Sequence, residues 1–121
     1  IAGGHPDKTE IGEVYLVNKV TNDETIDKYS LTIPAKNEFT TIALTTVAKG
    51  ITGGHVGYEG LVDMEAAIIT ATAISYFNID KISVIKVVSD HMDIANWSSL
   101  DVCGLLESKL DSICTLMELY V

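Results

Sequence analysis

The stretch LVDMEAA, residues 61–67, places Asp63 and Glu65 at the head of a segment running to Phe77 that carries no other charge. A solvated helix scatters its carboxylates along one face. Here they crowd the entrance, and Asp90 ends the next apolar run, ISVIKVVSD, residues 82–90. The spacing predicts a helix from about Asp63 to Asn78, with Ala66, Ala67, Ala71 and Ala73 interleaved among Ile68, Ile69 and Ile74. Apolar on nearly all sides, it is expected to lie buried against a sheet. Asn78 to Lys81 then turns the chain into a mostly apolar strand, Ile82 to Val88, of the kind covered on both faces. A helix of about 14 residues rises roughly 21 Å, and a strand of about seven returns roughly 23 Å. Asp90 therefore comes back to the level of Glu65. Ligands of open α/β sheets gather outside the carboxyl ends of the strands, and helix N-termini favour negative groups, so these acids are expected to face one cleft.

Upstream, IAGGHPDKTEIG (residues 1–12) reads as a turn, because glycine opens unusual backbone conformations and Pro6 and Asp7 discourage strand continuation. GEVYLVNKV alternates and is β-branched enough for a strand from about Glu13 to Val20, followed by a polar loop, TNDETIDKYS. FTTIALTTV, residues 39–47, has the period of two of a half-buried strand. Gly50, Gly53, Gly54, Gly57 and Gly60 form a connection. Ser99 is read as the start of a last amphipathic helix whose Val102, Leu105, Leu106, Leu110, Ile113, Met117 and Tyr120 recur at helical spacing. No repeat or internal boundary interrupts the chain, which reads as one α/β domain spanning residues 1–121.

Composition narrows the function classes. With 121 residues and 47% hydrophobic content, the chain supports one core and buries about two-thirds of its unfolded surface. No apolar run reaches the roughly 18 residues of a membrane helix. Seventeen acidic against eight basic residues, a net charge of -9, repel a phosphate backbone and argue against nucleic-acid polymers as partners. Every basic residue is Lys, so no guanidinium fork exists for bidentate phosphate capture. Cys103 and Cys114 lack a zinc-ligand spacing and read as buried small residues in a reducing, cytoplasmic compartment. His5, His55 and His91 show no metal-ligand spacing, so no metal is expected. The chain opens on Ile1 without a signal peptide and reads as beginning inside a longer protein.

Spacing alone leaves two readings of the acids open. Asp63 and Glu65 suit the first turn of any helix, and Asp90 a strand end. Alternatively, carboxyls desolvated by apolar surroundings have raised pKa values suited to proton transfer near neutral pH. The apolar approach on both sides favours an acid pair. His91, beside Asp90, is a candidate for the same cleft, and Met92 and Trp97 for a flap over it.

The runs VDMEAA and VVSDH, together with IAGG ahead of a GEVYLV strand, resemble the purine nucleoside phosphorylase and nucleosidase superfamily. The IAGG stretch most resembles 5'-methylthioadenosine/S-adenosylhomocysteine nucleosidases, whereas the SDH triplet also occurs in hexameric purine nucleoside phosphorylases. The resemblance implies the C-terminal portion of a phosphorylase/hydrolase-like three-layer fold, with a mixed central β-sheet flanked by helices. It implies an enzyme that cleaves the N-ribosidic bond of a purine nucleoside, with water ahead of phosphate as the nucleophile. Asp90 and Glu65 are its implied catalytic pair, the first as acid at the purine and the second holding ribose hydroxyls. Met64 is implied as the thioether under the sugar, and Asp63, Gly3, Gly4, Val47 and Ser89 complete the substrate-binding set. No cofactor is implied beyond phosphate as co-substrate of a phosphorylase. A non-catalytic nucleoside-binding chain is the alternative from another class. The resemblance also implies a homo-oligomer, or completion by an N-terminal segment carrying the family's first strand and its water-activating acid.

Overall fold

The β-branched run VYLVNKVTN forms β2 (Val14–Asn22), and TTIALTT forms β4 (Thr40–Thr46) parallel to it. In the computed structural model, which describes residues 1–55, 57–94 and 97–120, four further strands join them. These are β1 (Ala2–Gly4), β3 (Lys28–Ser30), β5 (Leu61–Asp63) and β6 (Ile85–Asp90). The strands follow the order β3-β2-β4-β5-β1-β6, and β6 pairs back onto β2. Five of them thus close into a barrel, with β3 attached outside. The closure depends on β2, whose pairing with β4 shifts register between Val17 and Lys19. Val14 to Leu16 pair with β6, and Lys19 to Thr21, beyond the irregularity, pair with β3. A bulge bends and twists its strand, so one edge of β2 serves two neighbours.

Parallel and antiparallel pairs alternate irregularly around the barrel, so the sheet is mixed as expected. The central sheet, expected as the middle of three layers, closes on itself as a barrel. Its helices are α1 (Ala66–Ala73), α2 (Val102–Glu107) and α3 (Leu110–Glu118). Ala66 and Ala67 of α1 reach a core cluster with Val17, Val20, Leu44, Leu61 and Val88. Small side chains allow that approach. The opposite face is open, with Ile68 61% and Ile69 59% exposed, so the expectation of a helix buried all round is wrong.

Several boundaries also move. IAGG is a strand rather than a turn, and LVD is a strand rather than the first turn of a helix. The tail of TNDETIDKYS forms β3. The last helix is broken in two, and its cap is Asp101, whose Oδ1 accepts from the Gly104 amide at 3.0 Å, rather than Ser99. Cys103 and Cys114 are exposed thiols on separate helices, not buried residues on one helical face.

Candidate active site

β1 brings the acids together. Gly3 pairs with Val62 of β5 on one side and with Asp90 of β6 on the other. Between the Ala2–Val88 and Gly3–Asp90 pairs the register shifts, leaving Ser89 unopposed. A bulge re-aims side chains, and here Ser89 and Asp90, neighbours that would alternate on a regular strand, both line the same cleft. The cleft has a volume of about 210 Å³ and is also lined by Gly3, Val47, Asp63, Met64 and Glu65. As expected, a helix N-terminus faces a strand end: Glu65 caps α1 and Asp90 closes β6, with Asp63 at the end of β5 between them and β1 bridging the two strands. Gly4 stands apart from the cleft: a side chain there would collide with Thr9. At Gly3 a β-carbon would meet Asp90 Oδ1 and Met92 Cγ, both at 3.1 Å.

On the β5 side, Asp63 is locked. Its Oδ1 accepts from Thr46 Oγ1 at 2.6 Å, and its Oδ2 from the Ala66 amide at 2.9 Å and the Lys86 ammonium at 2.8 Å. The Thr46 hydroxyl in turn accepts from the Ala67 amide at 2.9 Å. Two strand residues thereby satisfy the free amides at the start of α1. Glu65 Oε1 meets the same ammonium at 2.8 Å, while Oε2 accepts from the Met64 amide at 3.1 Å. The side chain of Lys86 is 9% exposed, that of Asp63 1% and that of Glu65 51%. Of these two carboxylates, Glu65 is the one open to an incoming ligand. Met64, half-exposed beside it, offers its thioether.

Burial acts to raise the pKa of Glu65, but its hydrogen bond to the Lys86 ammonium, that charge, and the Met64 amide outweigh it and hold the carboxyl below its usual value. The raised pKa expected of desolvated carboxyls therefore does not hold for Glu65. Burial acts to lower Lys86, yet bonds to Asp63 and Glu65 and their charges raise it above its usual value. Lys86 is the residue that sequence reasoning missed. The available signal was a solitary Lys inside the apolar run ISVIKVVSD, with two acids already assigned to the adjoining cleft.

On the β6 side, Asp90 is buried, 2% exposed. Its Oδ1 accepts from the Met92 amide and its Oδ2 from Ser89 Oγ, each at 2.7 Å. Ser89 Oγ also lies 3.4 Å from the Ala2 carbonyl. The hydroxyl can donate to ionised Asp90, or accept from protonated Asp90 while donating to Ala2, so both protonation states find partners. Met92 holds a left-handed backbone, φ 64°, at a cost of about 1–2 kcal/mol that the bond to Asp90 helps to offset. His91 turns away, its Nε2 3.1 Å from the Thr9 carbonyl. Met92 and Trp97 both line the cleft. Among the described residues, no group of three or more His, Cys, Asp or Glu side chains is placed to hold a metal ion.

The architecture matches solved nucleosidases. The MTAN of Chlamydia trachomatis aligns with a TM-score of 0.75 over 97% of this chain and 61% of that one, at 23% identity. The chain has the nucleosidase fold. A structure of the same MTAN bound to adenine gives 0.69 over 99% of this chain and 62% of that one, at 21% identity. An MTA/SAH nucleosidase gives 0.69 over 98% and 57%, again at 21% identity. The chain thus spans between about half and three-fifths of the length of the nucleosidases it matches, 51% at the least. No protein-family model and no curated protein matches the sequence. Among the described residues, no helix is long and apolar enough to cross a membrane.

Proposed function

We propose that the cleft binds a purine nucleoside and hydrolyses its N-ribosidic bond. The observation that carries this reading is the convergence of Asp90, at the end of β6, and Glu65, at the start of α1, on one apolar-walled cleft. Breaking the bond between C1' and N9 sends its electron pair into the purine and leaves oxocarbenium character on the sugar. Protonated Asp90 gives its proton to purine N7 as that charge develops, and Ser89 re-orients to donate to the carboxylate left behind. Glu65, kept ionised by Lys86, accepts hydrogen bonds from the ribose hydroxyls and opposes the positive charge on the ring. Met64 packs against the sugar. Water adds to C1' and releases a proton to solvent, from which the Asp90 carboxylate is reprotonated, giving free ribose and free base. Asp63, with its oxygens engaged, positions Lys86 and α1. Adenine bound to a protein of this fold supports the purine class.

Asp90→Asn keeps the acceptor for the Met92 amide but has no proton to give. It is expected to fold and to release free base about 10²–10⁴-fold more slowly; unchanged turnover would sink the assignment of the acid. Running the assay with and without phosphate separates hydrolysis from phosphorolysis. Adenine binding without turnover in either condition would favour a nucleoside-binding chain instead.

A second copy of the chain is the proposed partner for the outer face of α1. Ile68 and Ile69 on α1, and Ile74, Tyr76 and Phe77 just beyond its end, are exposed, and a concentration of exposed apolar side chains suits an association surface. Sedimentation of the wild type is expected to show concentration-dependent association that Ile69→Glu abolishes. A monomer at every concentration would leave an additional segment as the covering element.

A further inference from the structure

The chain has three methionines, and the fold sets each in different surroundings. Met92 lines the cleft but is 1% exposed, packed with Val47 and Val62. Met117 is 64% exposed on α3, outside the cleft. Met64 alone combines the two conditions: it lines the cleft and is 52% exposed. It occupies the step between β5 and α1, and its amide donates to Glu65 Oε2 at 3.1 Å. Its backbone is thereby fixed beside the carboxylate that an incoming ligand meets.

A thioether is an apolar packing group that peroxides convert into a polar sulfoxide. The sulfur takes one peroxide oxygen, the O–O bond breaks, and the other oxygen leaves as water; sulfur is oxidised by two electrons and peroxide is reduced by two. The product carries a strong hydrogen-bond acceptor. At Met64 that acceptor would replace an apolar contact in a lining already shared with Glu65, itself an acceptor. We propose that Met64 is a site of reversible oxidation by peroxides, which disables the sugar end of the cleft and leaves the base end intact. The inference rests on the nucleoside reading above and adds to it a covalent modification that controls the same site.

The full chain is treated with hydrogen peroxide and then with dithiothreitol, which returns the exposed thiols of Cys103 and Cys114 but leaves sulfoxides in place. Peptide masses are expected to show one added oxygen on Met64 and on Met117, with Met92 spared. Affinity for 5'-methylthioadenosine, read as KM, or as Kd if the chain binds without cleaving, is expected to weaken about tenfold. Adenine, which has no sugar, is expected to keep its Kd. Methionine sulfoxide reductases are expected to restore the lost affinity. Met117→Leu stays sensitive to peroxide, whereas Met64→Leu keeps its own untreated affinity after the same treatment. Untreated protein that neither binds nor cleaves 5'-methylthioadenosine overturns the nucleoside reading, and this inference with it. In protein that does bind it, three results overturn the inference alone: Met64 left unoxidised, oxidised Met64 with unchanged affinity, or Met64→Leu losing affinity to peroxide as wild type does. An equal loss of adenine affinity also overturns it.

Discussion

Lys86 stands in an apolar strand with its ammonium 2.8 Å from both Asp63 Oδ2 and Glu65 Oε1. Lys86→Met leaves the buried Asp63 carboxylate without a counter-charge. The expected cost is about 3–5 kcal/mol, read as a lower denaturant midpoint, and Asp63→Asn in the same background is expected to recover part of it. A small effect of the single change would mean that water reaches Asp63. The ion pairs also set the pH window. Glu65 is depressed below its ordinary 4.5, so its contribution is present above pH 4.5 and lost as pH falls through the folded value. Lys86 is raised above 10.5, so its contribution is present below pH 10.5 and lost as pH rises through the folded value. The melting temperature attributable to this cluster is expected to stay level from about pH 5 to about pH 10, and Glu65→Gln to soften the acid-side fall. An equal fall in the variant would assign that limb to other carboxylates.

At the scale of elements, one hydroxyl bridges β5 and the start of α1. Thr46 Oγ1 donates to Asp63 and accepts from the Ala67 amide, so Thr46→Ala strands a buried amide and removes a bond to a charged group. The expected loss is about 1–3 kcal/mol in chemical denaturation, with Thr46→Ser close to wild type; equal stability of the Ala variant would show that solvent replaces the hydroxyl. β2 and β4 were legible because a half-buried strand prints its period of two on the sequence. β1 was not: three residues with two glycines look like a turn, and only the room that Gly3 leaves for Asp90 and Met92 explains why a strand needs them there. LVD was misread because a short apolar run beside a helical pattern does not declare its own period. Asp90, Glu65, Met64, Asp63, Gly3, Val47 and Ser89 were legible as a set that shares the cleft, through motif order. Lys86 was hidden because its partners lie 21 and 23 positions away in sequence, at 65 and 63. The bulge at Ser89 was hidden because register belongs to a pair of strands and not to either one.

For the whole molecule, barrel closure leaves β3 as the outlying strand, and the seam where β6 meets β2 pairs Val14, Tyr15 and Leu16, with backbone bonds from Gly12, Glu13 and Val17 extending it. The proposed association surface and the cleft therefore lie apart: α1 presents Ile68 and Ile69 outward, while Asp63, Glu65 and Asp90 line the cleft beside β1. Ile69→Glu is accordingly expected to change sedimentation without changing the Kd for adenine, and a joint loss would place the partner at the cleft. The position of β1 has a kinetic consequence. Gly3 takes its two neighbours from Val62 and Asp90, so β1 must wait for strands far along the chain. Pairings so distant along the chain fold in milliseconds to seconds rather than microseconds, and a stopped-flow refolding trace is expected to fall in that range. During synthesis the barrel stays incomplete until residue 90 has emerged, and the cleft is assembled only when β6 arrives beside β1, a strand made long before it.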